Sequence, residues 1–265
     1  MNDLHHRSAT SSAEPNESRS CSPLRVGFAT SVAEREAVFR LRYDVFTKLG
    51  THVGEGTKGR DCDEFDDDCH HAAVWKDGTL VATCRILPAE GASRVGRYFS
   101  STEFDLSELL RRHTDILEVG RVCVHPDFRA SVAIVLLWKS IAELVVRTKA
   151  QYLTGCATLF EKSPDRVAAI MELLRERGVV EDLGVSPICR IAKPTSLQND
   201  TNVTWNDLPG LLRSYIQMGG RVLGEPCYDP IFDSAEVLIW VPLASLPKRF
   251  SNHLMRDFSE RTCQA

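Results

Sequence analysis

A mixed sheet flanked by helices, of the α/β or α+β class, is the fold this sequence predicts. Three observations carry it. Short apolar runs alternate with stretches of helical spacing in the order strand, helix, hairpin, strand, helix, strand, helix, with a further α/β extension behind them. Asp77-Gly78 separates two apolar runs, a strong hairpin signal. No internal repeat and no clean linker divides the chain, and 265 residues, 43% hydrophobic and 26% charged, suit one large domain or two small ones.

Residues 1–22 are rich in Ser, Asn and Glu and are expected to be a disordered tail, leaving one domain over 23–258 with an extension from about 193. Leu24–Ala29 alternates weakly and predicts a first strand. Ser31 is a natural N-cap for a helix over Val32–Leu49, with Val38, Leu41, Val45 and Leu49 on one face. Gly50–Asp68 is a long polar loop, and loops of that length are commonly functional or mobile. Ala72–Trp75 and Leu80–Leu87 form the hairpin, and Asp105–Arg112 a short helix. Residues 117–124 make a buried strand that His125-Pro126-Asp127 ends, because proline lacks a ladder donor. Ile134, Leu137, Trp138, Ile141, Leu144 and Val145 then recur at helical spacing over 132–149. Further on come a strand at Gln151–Thr158, a helix at Pro164–Arg177 after Ser163, and a strand at Ile188–Ala192. An irregular stretch over 193–206, a helix at Leu208–Met218, a strand at Glu236–Val241 and a last helix at Pro247–Phe258 complete the chain.

A net charge of -4 gives no electrostatic case for nucleic acid as a partner. Nine scattered cysteines with no C-x-x-C pair read as reduced thiols of a cytoplasmic protein. No apolar run approaches a membrane span, and the polar N-terminus is no secretory signal, so any contact with the inner membrane would be peripheral. Asp61–His71 looks metal-binding but lacks the glycine and distal glutamate of a calcium loop, and His70 and His71 are adjacent. The expectation is a solvated acidic loop and no metal.

The chemistry concentrates in the stretch 117–137. Glu118 and Arg121 are opposite charges in an otherwise apolar strand, costly unless paired or used. Glu118 is a candidate general base for an amine attacking a thioester. Its simpler reading is an ion pair with Arg121, and spacing alone leaves both open. Three positions apart, the two point to opposite faces of a regular strand, and only a bulge brings them together. A strand feeding a helix through a short loop also offers free N–H groups to an anion.

Four runs form an ordered set: Arg42-Tyr-Asp-Val-Phe46, Asp63-Glu-Phe-Asp66, Thr83-Cys-Arg85-Ile-Leu-Pro88 and Glu118-Val-Gly-Arg121. The set resembles the acyl-homoserine-lactone synthases. It is more similar to the bacterial ornithine-lipid N-acyltransferases, through the continuation of the last run to Arg129, the strand Gly155-Cys156-Ala157, and a segment from Leu208-Pro to Asp229-x-x-Phe232. The resemblance covers about residues 24–255. It implies the fold of the Gcn5-related acyltransferases. It also implies transfer of a 3-hydroxyacyl chain from acyl carrier protein to the α-amine of ornithine, giving lyso-ornithine lipid. No bound cofactor is implied; the donor is the acyl-phosphopantetheine of the carrier protein.

On this resemblance Glu118 is favoured as the base, with Arg121 beside it. Arg42, Asp63, Asp66 and Arg85 would form a polar network by the active site, with Phe46 in the substrate site. Arg85 would hold the amino-acid carboxylate by a fork-shaped pair, and a carboxylate of the acidic loop would meet the cationic side chain. Backbone N–H groups near Cys123 and Val124 are expected to stabilise the attacked carbonyl. The turn Arg129-Ala-Ser-Val-Ala133 lacks the glycine that lets a backbone approach the pyrophosphate of coenzyme A. It suits a single phosphopantetheine phosphate, held by Arg129, Ala130 and Ser131, or it is an ordinary helix start. The tryptophan usual in the lactone synthases after the position of Phe46 is absent from residues 47–70. The rival expectations are an N-acyl amino acid synthase with another acceptor, a lactone synthase, and a non-catalytic protein that binds acyl carrier or lipid.

Overall fold

A computed structural model describes residues 23–49, 59–128, 132–193 and 202–248. The expected tail, the turn at 129–131 and nearly all of the last expected helix lie outside the described residues. Strand β1 (Arg25–Phe28) leads into helix α1 (Val32–Lys48). Ser31 and Glu34 close a capping box there, each side chain accepting from the other's backbone N–H. Val38, Leu41 and Val45 are buried as expected, but so is a second stripe of Phe39, Arg42 and Phe46. Leu49, expected on the first stripe, is 42% exposed because the helix ends one residue before it.

The hairpin forms β2 (His70–Lys76) and β3 (Thr79–Pro88), turning at Asp77-Gly78 with positive φ at both residues. Helix α2 (Ala89–Val95), strand β4 (Phe104–Asp105) and helix α3 (Ser107–Arg112) precede β5 (Ile116–Val124). Helix α4 (Ala133–Thr148) crosses over to β6 (Tyr152–Thr158), and the parallel β5/β6 pair makes a β-α-β unit. Helix α5 (Pro164–Glu176) starts on its Ser163 cap, followed by β7 (Val180–Glu181), β8 (Ser186–Pro187), α6 (Gly210–Gln217), β9 (Arg221–Asp229) and β10 (Ser234–Pro242). The expected strand over Ile188–Ala192 is absent. β8 ends at Pro187, pairing with β4, and only Arg190 makes a lone bridge, to Cys227.

Among the described residues, eight strands make one sheet in the order β1-β2-β3-β5-β6-β10-β9-β7. Side chains alternate across it. Ala73 and Trp75 meet α1 on one face, while Ala72 and Val74 join the core that includes Leu137, Ile141 and Leu144 of α4 on the other. Helices on both faces explain why β2 and β3 read as continuous apolar runs. No described helix is long and apolar enough to cross a membrane.

Candidate active site

The sheet is open at its centre. β5 and β6 pair only from Ile116–Glu118 to Tyr152–Thr154. Beyond that, β5 stays with β3 and β6 stays with β10, so the two strands part. Gly155 sits where they separate; a Cβ there would lie 2.1 Å from the Val119 carbonyl oxygen. The wedge opens into a cleft of about 970 Å³, part of it solvent, walled by Glu118–Val122 and Gly155–Thr158. Aromatic rings of Phe46, Phe99, Phe160 and Phe232 line it too.

A bulge in β5 settles the parity of Glu118 and Arg121. Thr83 pairs with Cys123 and Arg85 with Gly120, so Arg121 and Val122 stand against Cys84 alone. Arg121 takes φ 50°, and both it and Glu118 then line the one cleft. They do not pair with each other. The Glu118 carboxylate, 4% exposed, accepts from Phe99 N at 2.7 Å, Ser100 N at 2.7 Å and Ser100 Oγ at 2.5 Å. Burial raises its pKa, and the three donors limit the rise. A buried carboxylate with a raised pKa, held by donors and facing a cavity, has the properties of a general base.

Beneath the cleft lies a charge network. Arg42, wholly buried, donates from Nη1 to Asp66 Oδ1 at 2.8 Å. Arg85 Nη1 reaches Asp63 Oδ1 at 2.5 Å and Asp66 Oδ1 at 3.5 Å. Arg121 pairs with Asp61 at 3.3 Å and Asp63 at 3.4 Å. Burial pushes the Asp66 carboxyl up, but the Arg42 and Arg85 guanidiniums outweigh it and hold the pKa down to about 2. His71 faces Arg42 Nη2 through Nδ1 at 3.3 Å and Asp66 O through Nε2 at 3.1 Å. Arginine only donates, so Nδ1 accepts and Nε2 carries the proton. Burial, then Arg42, lowers the His71 pKa to about 4, and the ring is neutral at pH 7. The guanidiniums of Arg85 and Arg121 lie 5.0 and 4.8 Å from the centre of the Phe99 ring.

Of the expected site residues, Glu118, Arg121, Arg85 and Phe46 line the cleft, and Arg42, Asp63 and Asp66 form the network below it. Cys123 and Val124 do not line it. Past the bulge the strand returns to β3, and Cys123 packs in the α1 core with its thiol pushed up to about 12 by burial. The acidic loop is not a vacant cation site either, because Asp61, Asp63 and Asp66 are matched by Arg42, Arg85 and Arg121. Arg129, Ala130 and Ser131 lie outside the described residues. Sequence reasoning gave no role to Ser100, Glu103, Cys156 or Glu236. Glu236 carried the same signal as Glu118, a charge within an apolar strand.

A family model described as an acetyltransferase (GNAT) domain matches residues 41–139. Two relatives are both L-ornithine N(alpha)-acyltransferases. That of Rhizobium meliloti is 28% identical, covering 88% of this chain and 85% of its own. That of Rhodobacter capsulatus is 27% identical, covering 89% and 96%. Among solved structures, the acyl-homoserine-lactone (AHL) synthase LasI superposes with a TM-score of 0.52 at 14% identity, covering 86% of this chain and 93% of that one. With a GNAT-domain match over residues that include β5, and with these relatives along nearly its whole length, the chain is an acyltransferase of the GNAT fold, homologous to the bacterial L-ornithine N(alpha)-acyltransferases.

Proposed function

We propose that the protein transfers a 3-hydroxyacyl chain from the phosphopantetheine thioester of acyl carrier protein to the α-amine of L-ornithine, giving lyso-ornithine lipid. The observation that carries this reading is Glu118, a buried carboxylate facing the cleft where β5 and β6 part. The edges of that wedge offer backbone groups along which an extended acyl-phosphopantetheine can lie as a strand would. Glu118, directly or through a water, takes a proton from the ammonium. The free amine then attacks the thioester carbonyl, a C–N bond forms, the C–S bond breaks, and the thiol leaves with a proton. Arg85 presents its guanidinium at the cleft wall and hydrogen-bonds Asp63 and Asp66 through Nη1, which suits it to receive the amino-acid carboxylate. Arg129, Ala130 and Ser131, which precede α4 in the sequence, are the proposed phosphate holders.

The test is expression in a host lacking aminolipids, followed by lipid extraction and mass spectrometry. A 3-hydroxyacyl-ornithine peak is expected. Another N-acyl amino acid, or a lactone, would name a different acceptor. Glu118→Gln keeps the shape and removes the charge. It is expected to lower kcat by about 10²–10⁴-fold, and unchanged turnover would reject the base.

A further inference from the structure

Two carboxylates at the back of the same cleft remain without a cation. Glu103 follows the Phe99–Thr102 turn, and Glu236 lies on β10 beside β6. Glu103, Cys156 and Glu236 bring one side-chain atom each within 4.8 Å of one another. Glu236 is 4% exposed and receives a hydrogen bond from Thr158 Oγ1 at 2.7 Å. Glu103 Oε2 is sealed from solvent, and the Glu103 carboxyl lies within hydrogen-bonding reach of Glu236 and Cys156. Among the described residues no Lys, Arg or His makes an ion pair with either; Arg121, whose charge Glu236 feels, is engaged by Asp61 and Asp63. Asp229 adds a third acid to the cavity wall, its Oδ1 taken by Ile231 N and Phe232 N. An enclosed acidic pair that no protein cation neutralises must either keep a proton or meet a cationic ligand.

The geometry points to Glu103 and Glu236 as the receptor for the side-chain ammonium of a diamino-acid acceptor, with Glu118 at the other end of the same amino acid. The assignment rests on the acyl-transfer reading above and deepens it. Ser100 and Cys156 link the two ends: Cys156 Sγ donates to Ser100 Oγ at 3.3 Å, and Ser100 Oγ to Glu118 Oε1 at 2.5 Å. An acceptor lying across this bridge offers its α-amine to Glu118 and its second amine to the pair. Burial pushes the Cys156 thiol far above its ordinary range, so beside the two carboxylates it stands as a neutral group. Burial also raises both carboxyls, so the empty pair holds a proton that an incoming ammonium displaces.

The test compares ornithine with norvaline, which has the same carbon skeleton without the second amine. Wild type, Glu103→Gln and Glu236→Gln are assayed on both with an acyl carrier protein thioester. Wild type should favour ornithine in kcat/KM by about 100-fold or more, since a buried polar site rejects an analogue lacking the group it binds. Each variant should raise KM for ornithine by about tenfold or more with kcat little changed, and bring the ornithine-to-norvaline ratio toward one. Variants that keep the wild-type ratio overturn the assignment while leaving ornithine acylation standing. A wild type that takes norvaline as readily as ornithine overturns the assignment, and one that acylates neither overturns the acyl-transfer reading with it. Should the variants fail to fold, calorimetry on wild type in buffers of different ionisation enthalpy decides. Ornithine should release more protons than norvaline on binding, and equal release overturns the assignment.

Discussion

Arg42 is the residue on which the network closes. Its guanidinium is fully enclosed, and its partner Asp66 is 3% exposed. Replacing it with methionine keeps much of the volume but leaves Asp66 and His71 short of a donor. Arg42→Met should cost about 3–5 kcal/mol, as breaking a buried ion pair does, read as a lower urea midpoint at unchanged slope. A loss under about 1 kcal/mol would mean that Arg85 alone neutralises Asp66. The resemblance named Arg42, Asp63, Asp66 and Arg85 together beforehand. Helical period did not, since the expected apolar face of the first helix ran through Val38, Leu41 and Val45 and left Arg42 off it. Asp63 and Asp66 come from an irregular loop, whose backbone no periodicity places.

At the scale of elements, Gly155 does what no other residue can. Its missing side chain lets β6 approach the Val119 carbonyl before the strands separate. Gly155→Ala is expected to cost about 3 kcal/mol from the clash with backbone and to reduce activity out of proportion, because relief requires moving β5 or β6. A variant of wild-type thermal stability and activity would show that the splay is set elsewhere. The helices and the hairpin were legible because caps, period and the Asp-Gly turn all agreed. Helix α2 was missed because Gly91 interrupts it; that glycine is tolerated since a Cβ would lie 2.4 Å from Asp68 O. Strand β9 was missed because Gly224, with φ 65°, and Pro226 break its pattern.

Over the whole molecule, two sets of buried groups pull stability in opposite directions with pH. Asp66, held at about 2 against an ordinary 3.8, stabilises fully above 3.8 and ceases to as pH falls toward 2, a swing of about 2 kcal/mol. His71, lowered from 6.5 to about 4, acts in the same sense, because below 6.5 the unfolded chain takes up its proton first. Glu103 and Glu236 are raised, so their contribution is present below 4.5 and lost as pH rises above it. The apo protein should therefore melt highest between these limits, and Glu103→Gln should flatten the alkaline side alone. Thermal melts from pH 3 to 9 check both slopes, and an alkaline limb unaltered by the substitution would dissociate the pair from that loss.

By itself, the amino-acid order determined the fold class, most of the elements and the strand that bears Glu118. Hydrophobic period, caps and turn residues are local properties, and each segment carries its own. The ordered motifs also pointed to acyl transfer. Tertiary structure decided what faces what. The bulge turns Arg121 into the cleft beside Glu118 and puts Cys123 out of it. Three arginines take the acids of the loop, and Glu103 and Glu236, 133 positions apart in the chain, meet without a cation between them. Such pairings depend on strand register and on the point where two strands part, which are fixed only when distant segments pack.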